Sequence, residues 1–129
     1  MGQDANKVTT KSKGDAAEDL ALRHLQRAGL QLLVRNYRTP GRGGGEIDLI
    51  LREPNGTLVF AEVRQRASSS HGGAAASVSV TKQRRIIFAA RYYLMRLATL
   101  PPCRFDVLSV QGSGEAQRID WLRGAFDAP

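Results

Sequence analysis

Four residues, Glu53-Pro54-Asn55-Gly56, separate two apolar runs and constrain this chain more than any other stretch. Proline and glycine at neighbouring positions reverse the backbone. A link this short lets the flanking runs be strand neighbours only in the antiparallel sense. The runs are residues 46–51 and 57–64, rich in the aliphatic and aromatic types that suit a sheet. A two-strand hairpin is marginal by itself, so the remaining elements must cover it.

Those elements are legible on either side. From Lys13, the positions Ala16, Ala17, Leu20, Ala21, Leu25 and Ala28 recur at three- and four-residue spacing and Gly29 follows as a stop, which predicts a helix. Residues 30–37 read as a first strand before the turn-rich run Thr39-Pro40-Gly41-Arg42-Gly43-Gly44-Gly45. Residues 67–79 are mostly Ser, Ala and Gly, which bury little and cost entropy to fix, so a mobile loop is expected there. A second helix is predicted from about Thr81 to Ala98, with Ile86, Ile87, Ala90, Leu94 and Leu97 towards the core and Pro101-Pro102 as its terminator. Its other face carries Lys82, Arg84, Arg85, Arg91 and Arg96. Residues 104–110 alternate as a fourth strand and 117–122 form a short fifth. The order predicts an α/β fold with one mixed sheet of about five strands flanked by two helices. Residues 1–12 are polar and aperiodic and are expected to be a disordered arm, leaving 13–129 as one domain.

Composition narrows the partner. Nineteen Lys plus Arg against 12 Asp plus Glu give a net charge of +7 over 129 residues, which favours a polyanion such as nucleic acid. No run is apolar enough to span a membrane, and the polar N-terminus lacks a secretory pattern, so a cytoplasmic protein is expected. The single cysteine, Cys103, excludes an intramolecular disulfide and multi-cysteine zinc sites, and is expected to be a reduced core thiol.

The chemistry concentrates in Gly45-Glu46-Ile47-Asp48-Leu49-Ile50 and Val59-Phe60-Ala61-Glu62-Val63-Arg64-Gln65-Arg66. Side chains two apart on a strand share a face, so Glu46 is expected with Asp48, and Glu62 with Arg64, while Ile47, Leu49, Ala61 and Val63 face the other way. Hairpin pairing brings Asp48 and Glu62 together, and neighbouring carboxylates repel unless a cation neutralises them. Magnesium or manganese suits such a pair, because magnesium binds through one or two carboxylates plus waters and a substrate phosphate. Metal-assisted phosphodiester hydrolysis is the reaction this arrangement suits. Glu18 could add an acid from the first helix, although an acid near a helix start is also favoured by the macrodipole.

The run GEIDLI, then FAEVRQR, the Lys82 helix with Tyr92-Tyr93, and the later RFDVLSV resemble the YraN family of uncharacterised bacterial proteins. The resemblance covers the chain from about Lys13 onward. It implies a restriction-endonuclease-like, or PD-(D/E)XK, three-layer core similar to archaeal Holliday-junction resolvases. It further implies a metal-dependent endonuclease acting on DNA, branched DNA included, in which Asp48 and Glu62 match the two motif acids and Glu18 the first-helix acid. A homodimer is expected by the same analogy. The departure is Arg64, which stands where the superfamily motif has lysine. Arginine keeps the charge and can clamp a phosphate but cannot give up a proton near neutral pH. Lys82 is a candidate migrated amine, and Arg42, Arg64, Arg66, Lys82 and Arg85 are the candidate nucleic-acid contacts. The alternatives are a catalytically silent nucleic-acid-binding module and a basic protein-interaction subunit.

Other features read more plainly. The glycine run lacks the Gly-Lys-Ser/Thr ending of a P-loop and does not lead into a helix. His24 and His71 have no partner at metal-ligand spacing, and packing or surface roles are expected. Tyr92, Tyr93 and Trp121 are expected to pack in the core rather than stack on bases.

Overall fold

The structure is a computed structural model and describes residues 10–66, 78–112 and 114–129. Helix α1 (Thr10–Arg27) leads into strands β1 (Gln31–Arg38), β2 (Glu46–Arg52) and β3 (Leu58–Arg66). Helix α2 (Val80–Leu94) follows, then β4 (Cys103–Gln111), a single 3-10 turn (Gly114–Ala116) and β5 (Arg118–Phe126). The strands form one sheet in the order β1-β2-β3-β4-β5. Only β3 and β4 pair in parallel, with α2 between them in sequence, and the other neighbours are antiparallel. This is the expected mixed five-stranded α/β core, compatible with the three-layer arrangement that the family resemblance implies.

Each helix covers one face. Ala17, Ala21 and Leu25 of α1, spaced by one turn, are nearly fully buried, while Ala16 and Ala28 lie outside that stripe and are exposed. Ala21 and Leu25 share a cluster with Leu49, Leu51, Val59, Ala61 and Leu108. On the other face, Ile86, Ile87, Ala90 and Tyr93 of α2 pack with Ile50, Phe60, Phe105 and Val107. No helix among the described residues is long and apolar enough to cross a membrane.

Several boundaries move. Helix α1 begins at Thr10, so residues 10–12 join it rather than the expected arm, and 1–9 lie outside the described residues. Of the expected mobile loop, 67–77 also lie outside them, but Val78 is buried and the Ser79 hydroxyl accepts from Lys82 N at 3.1 Å. That is an N-cap, and it starts α2 ahead of the expected Thr81. The helix stops at Leu94 rather than near Ala98, because Arg96 and Leu97 donate only three residues back, tightening the last turn. Leu97, expected in the core, is exposed, so nothing apolar rewards a further turn. Strand β5 runs past the expected end to Phe126, whose ring stacks on Phe105 with centroids 5.0 Å apart. Cys103 is exposed at the start of β4, and its sulfur lies 3.3 Å from the Pro101 carbonyl oxygen rather than in the core. Tyr93 packs as expected, whereas Tyr92 is exposed. His24 packs edge-on to the half-buried Trp121, and His71 lies outside the described residues.

Candidate functional site

The expected alternation fails at one point in β2, and the failure builds the site. Leu49, Ala61 and Val63 do share the α1 face, but Ile47 packs in the α2 cluster with Tyr37. A strand reverses its facing over two residues only if the backbone turns between them. Asn36, which falls opposite Asp48 in the β1–β2 register, has φ of +56°. Asparagine is one of the few residues that tolerate this left-handed conformation. The facing therefore switches at the Asn36/Asp48 position, and β1 switches with it: Arg35 pairs with acids on α1 while Tyr37 packs under α2.

At the same point β2 and β3 part. Their register runs from Arg52↔Leu58 to Leu49↔Ala61 and ends there, although β3 continues to Arg66. The Val63 amide beyond the end of the ladder donates instead to Asp48 Oδ2 at 2.8 Å. Asp48 thus lies at the fork of the two strands, half-buried, and acts on acids from both faces of the sheet.

Glu62 is the other half of the pair. It is 3% exposed, its Oε1 is buried with no hydrogen-bond partner among the described residues, and Oε2 lies 3.6 Å from Lys82 Nζ and 3.7 Å from Arg64 Nη1. Burial pushes its carboxyl up to about 8, helped by the charge of Asp48 and a hydrogen-bonding contact with it, against the pull of Lys82 and Arg64. Near neutral pH and without a ligand, Glu62 therefore holds a proton. A hard cation between the two carboxylates would replace that proton, satisfy Oε1 and relieve the repulsion. Among the described residues no group of three or more His, Cys, Asp or Glu is gathered for a metal ion, so Asp48 and Glu62 would act as a pair.

Of the remaining candidates, Glu18, Arg64 and Lys82 act on this pair. Glu18 sits more than two turns into α1, beyond the reach of the helix macrodipole, so that explanation of it lapses. Burial raises its carboxyl above the usual range, and the charge of Asp48 raises it further, while Arg35, whose Nε is 3.3 Å away, pulls it down. Glu46, expected beside Asp48, has its ion-pair contact with its cross-strand neighbour Arg38, whose Nη2 is 3.9 Å away. Lys82, the candidate migrated amine, reaches Glu62 because the Ser79 cap aims the first turn of α2 at β3. Arg64 flanks Glu62 and is more open to solvent. Arg66 ends β3, half-buried; Arg42 is exposed on the glycine-rich loop; Arg85 is exposed on α2. Sequence reasoning missed Asn36, whose one available signal was an asparagine in mid-strand.

Comparison with known proteins gives the family. Residues 17–110 match the model of the uncharacterised protein family UPF0102. Among curated relatives, a UPF0102 protein of Albidiferax ferrireducens is 72% identical over 120 residues, covering 93% of this chain and 91% of its own length. Those of Polaromonas naphthalenivorans and Paracidovorax citrulli are 67% and 62% identical, covering 94% and 98% of this chain and 82% and 91% of theirs. A family match over most of the chain and relatives this similar leave one assignment: the chain belongs to the UPF0102, or YraN, family.

Proposed function

We propose that this protein is a metal-dependent endonuclease that hydrolyses DNA phosphodiester bonds, branched DNA included. The observation that carries the reading is Glu62: a buried carboxyl with one oxygen unpartnered among the described residues, set against Asp48 and within 4 Å of an ammonium group. A fold keeps an unsatisfied buried acid at a cost in stability, and such groups concentrate where a ligand or reaction needs them. Asp48 and Glu62 would hold magnesium or manganese, and when bound the ion would supply Lewis-acid activation of water and neutralise phosphate charge. Lys82 supplies the ammonium that Arg64 cannot, offsetting charge beside Glu62 and able to exchange a proton. Arg64, more open to solvent, is placed to clamp a phosphate oxygen. The net charge of +7 favours the polyanionic substrate.

The test uses purified protein with magnesium or manganese on linear, flapped and four-way DNA. Cleavage that disappears in Asp48→Ala and Glu62→Ala supports the reading; cleavage that survives in both variants removes it. A second reading is favoured by Arg64 at the motif lysine position: a nuclease-fold module that binds nucleic acid without cutting. Calorimetry separates the two, since the module would bind DNA with strong salt dependence and show no magnesium affinity that Glu62→Gln abolishes.

A further inference from the structure

The loop of residues 39–45 looks in sequence like a flexible connection, but the structure closes it on itself. Thr39 N donates to Gly45 O at 3.1 Å, and Gly45 N donates to the buried Thr39 hydroxyl at 2.9 Å. The loop is also pressed against α2: a Cβ at Gly45 would lie 1.9 Å from the Arg85 carbonyl oxygen, and one at Gly44 2.1 Å from Thr39 Oγ1. Only glycine permits either approach.

This closure shapes a hollow of about 190 Å³ lined by Arg38, Arg85, Thr39, Glu46 and the backbone of the loop glycines. It is smaller than the ~300–1,000 Å³ of small-molecule sites, and its lining is polar rather than apolar. Two guanidinium groups face one carboxylate. Glu46 engages Arg38 only at 3.9 Å, and Arg85 has no ion-pair partner among the described residues. The surplus is one positive charge, which matches a single phosphodiester.

Two lining residues stand a short way along the chain from residues of the acid site. Along β2, Glu46 is two residues from Asp48, about 7 Å at strand rise. Along α2, Arg85 is three residues from Lys82, about 4.5 Å at helical rise. We propose that this cradle seats the backbone phosphate of nucleic acid next to the one presented to Asp48 and Glu62. The assignment rests on the reading of that pair as the reacting site, and it needs no metal.

Its test is therefore made in EDTA, with a labelled 20-nucleotide DNA, single-stranded and duplex, followed by fluorescence anisotropy over a range of salt. Arg38→Gln and Arg85→Gln each weaken binding about fivefold to tenfold and each reduce the slope of log affinity against log salt by about one. Arg123→Gln, on the exposed guanidinium stacked over Trp121, binds like the parent. Both cradle substitutions are at exposed side chains, so the fold tolerates them. Amide spectra with inorganic phosphate separate the sources: weak millimolar shifts at Gly41, Gly43 and Gly44 fit a backbone seat, and saturation as tight as the DNA would make it a free-anion site. Parent-like binding by both cradle variants, or no DNA binding by the parent, overturns the proposal. Weakened variants in a protein that never cleaves leave the cradle standing and remove the nuclease reading. Metal-dependent cleavage with unchanged variant affinities removes the cradle alone.

Discussion

Two acids are buried next to each other in the sheet, Glu62 on β3 and Asp106 on β4, and the fold treats them in opposite ways. They occupy neighbouring rungs, with Ala61 opposite Asp106 and Glu62 opposite Val107. Asp106 is 0% exposed and fully engaged. Its Oδ1 accepts from Arg104 Nε and Gly124 N, each at 3.0 Å, and its Oδ2 from Arg104 Nε at 3.1 Å and Trp121 Nε1 at 2.9 Å. Arg104 is tied in turn to Glu53 in the β2–β3 turn. Glu62 has two cations just beyond hydrogen-bonding range, the like charge of Asp48 beside it, and, among the described residues, no donor to its Oε1. Burial alone therefore does not mark a functional acid. A buried carboxylate with its donors in place is accounted for by the fold, and one without them is what the proposed function draws on.

Removing each acid should separate the two roles. Asp106→Ala leaves a guanidinium and an indole N–H buried without their acceptor, and should cost about 3–5 kcal/mol, read as a lower urea midpoint. A loss below about 1 kcal/mol would dissolve the contrast.

Glu62→Gln should behave differently, and its sign depends on pH. The free side chain titrates near 4.5 and the folded one near 8, so between those values the native state holds a proton that the unfolded chain has lost. This contribution is complete below about 4.5 and disappears as pH rises towards 8. Glutamine cannot ionise, so the variant should gain on the parent steadily from pH 5 to 8.5 in metal-free urea melts. Parallel pH profiles would mean that Glu62 is not held protonated.

Lys82→Met sharpens the same point more gently. Lys82 pulls the Glu62 carboxyl down, so its removal should move the Glu62 midpoint upward by about one unit, followed by carboxyl-carbon NMR. An unchanged midpoint would show that the ammonium does not act on the acid. Arg64→Lys should change stability least, within about 0.5 kcal/mol, because the side chain is partly in solvent. If the arginine limits cleavage, this variant should cut DNA at least tenfold faster than the parent.

How far the sequence revealed this arrangement depended on whether a feature was periodic. The order of elements, the hairpin and the nearness of Asp48 to Glu62 follow from alternation and a short turn, which are local rules. The position of Asp48 at the strand fork does not, because it hangs on one left-handed backbone at Asn36 that no spacing announces. Strand β5 runs past its expected end at Leu122. Gly124, at φ of +61°, looks like a terminator, but its amide is held by Asp106 and the strand carries on to Phe126. Asp106 itself passes in sequence as an ordinary member of an alternating strand, since its partners come from Arg104 nearby and from Trp121 and Gly124 on the next strand. Lys82 is a candidate because the motif lysine is replaced by Arg64, and it heads a helix whose serine cap lies in a stretch that reads as loop.

The bond from the Val63 amide to Asp48 has an evolutionary implication. The same carboxylate that would hold a cation on the proposed function also closes a gap between two strands, so the two acids are not equally free to change. On the proposed function, a descendant that had no use for the reaction could exchange residue 62 for a neutral side chain and become sturdier, while residue 48 would stay under selection for folding alone. Retention of an aspartate at 48 in a relative is therefore poor testimony of activity, and the identity of residue 62 is the more truthful witness.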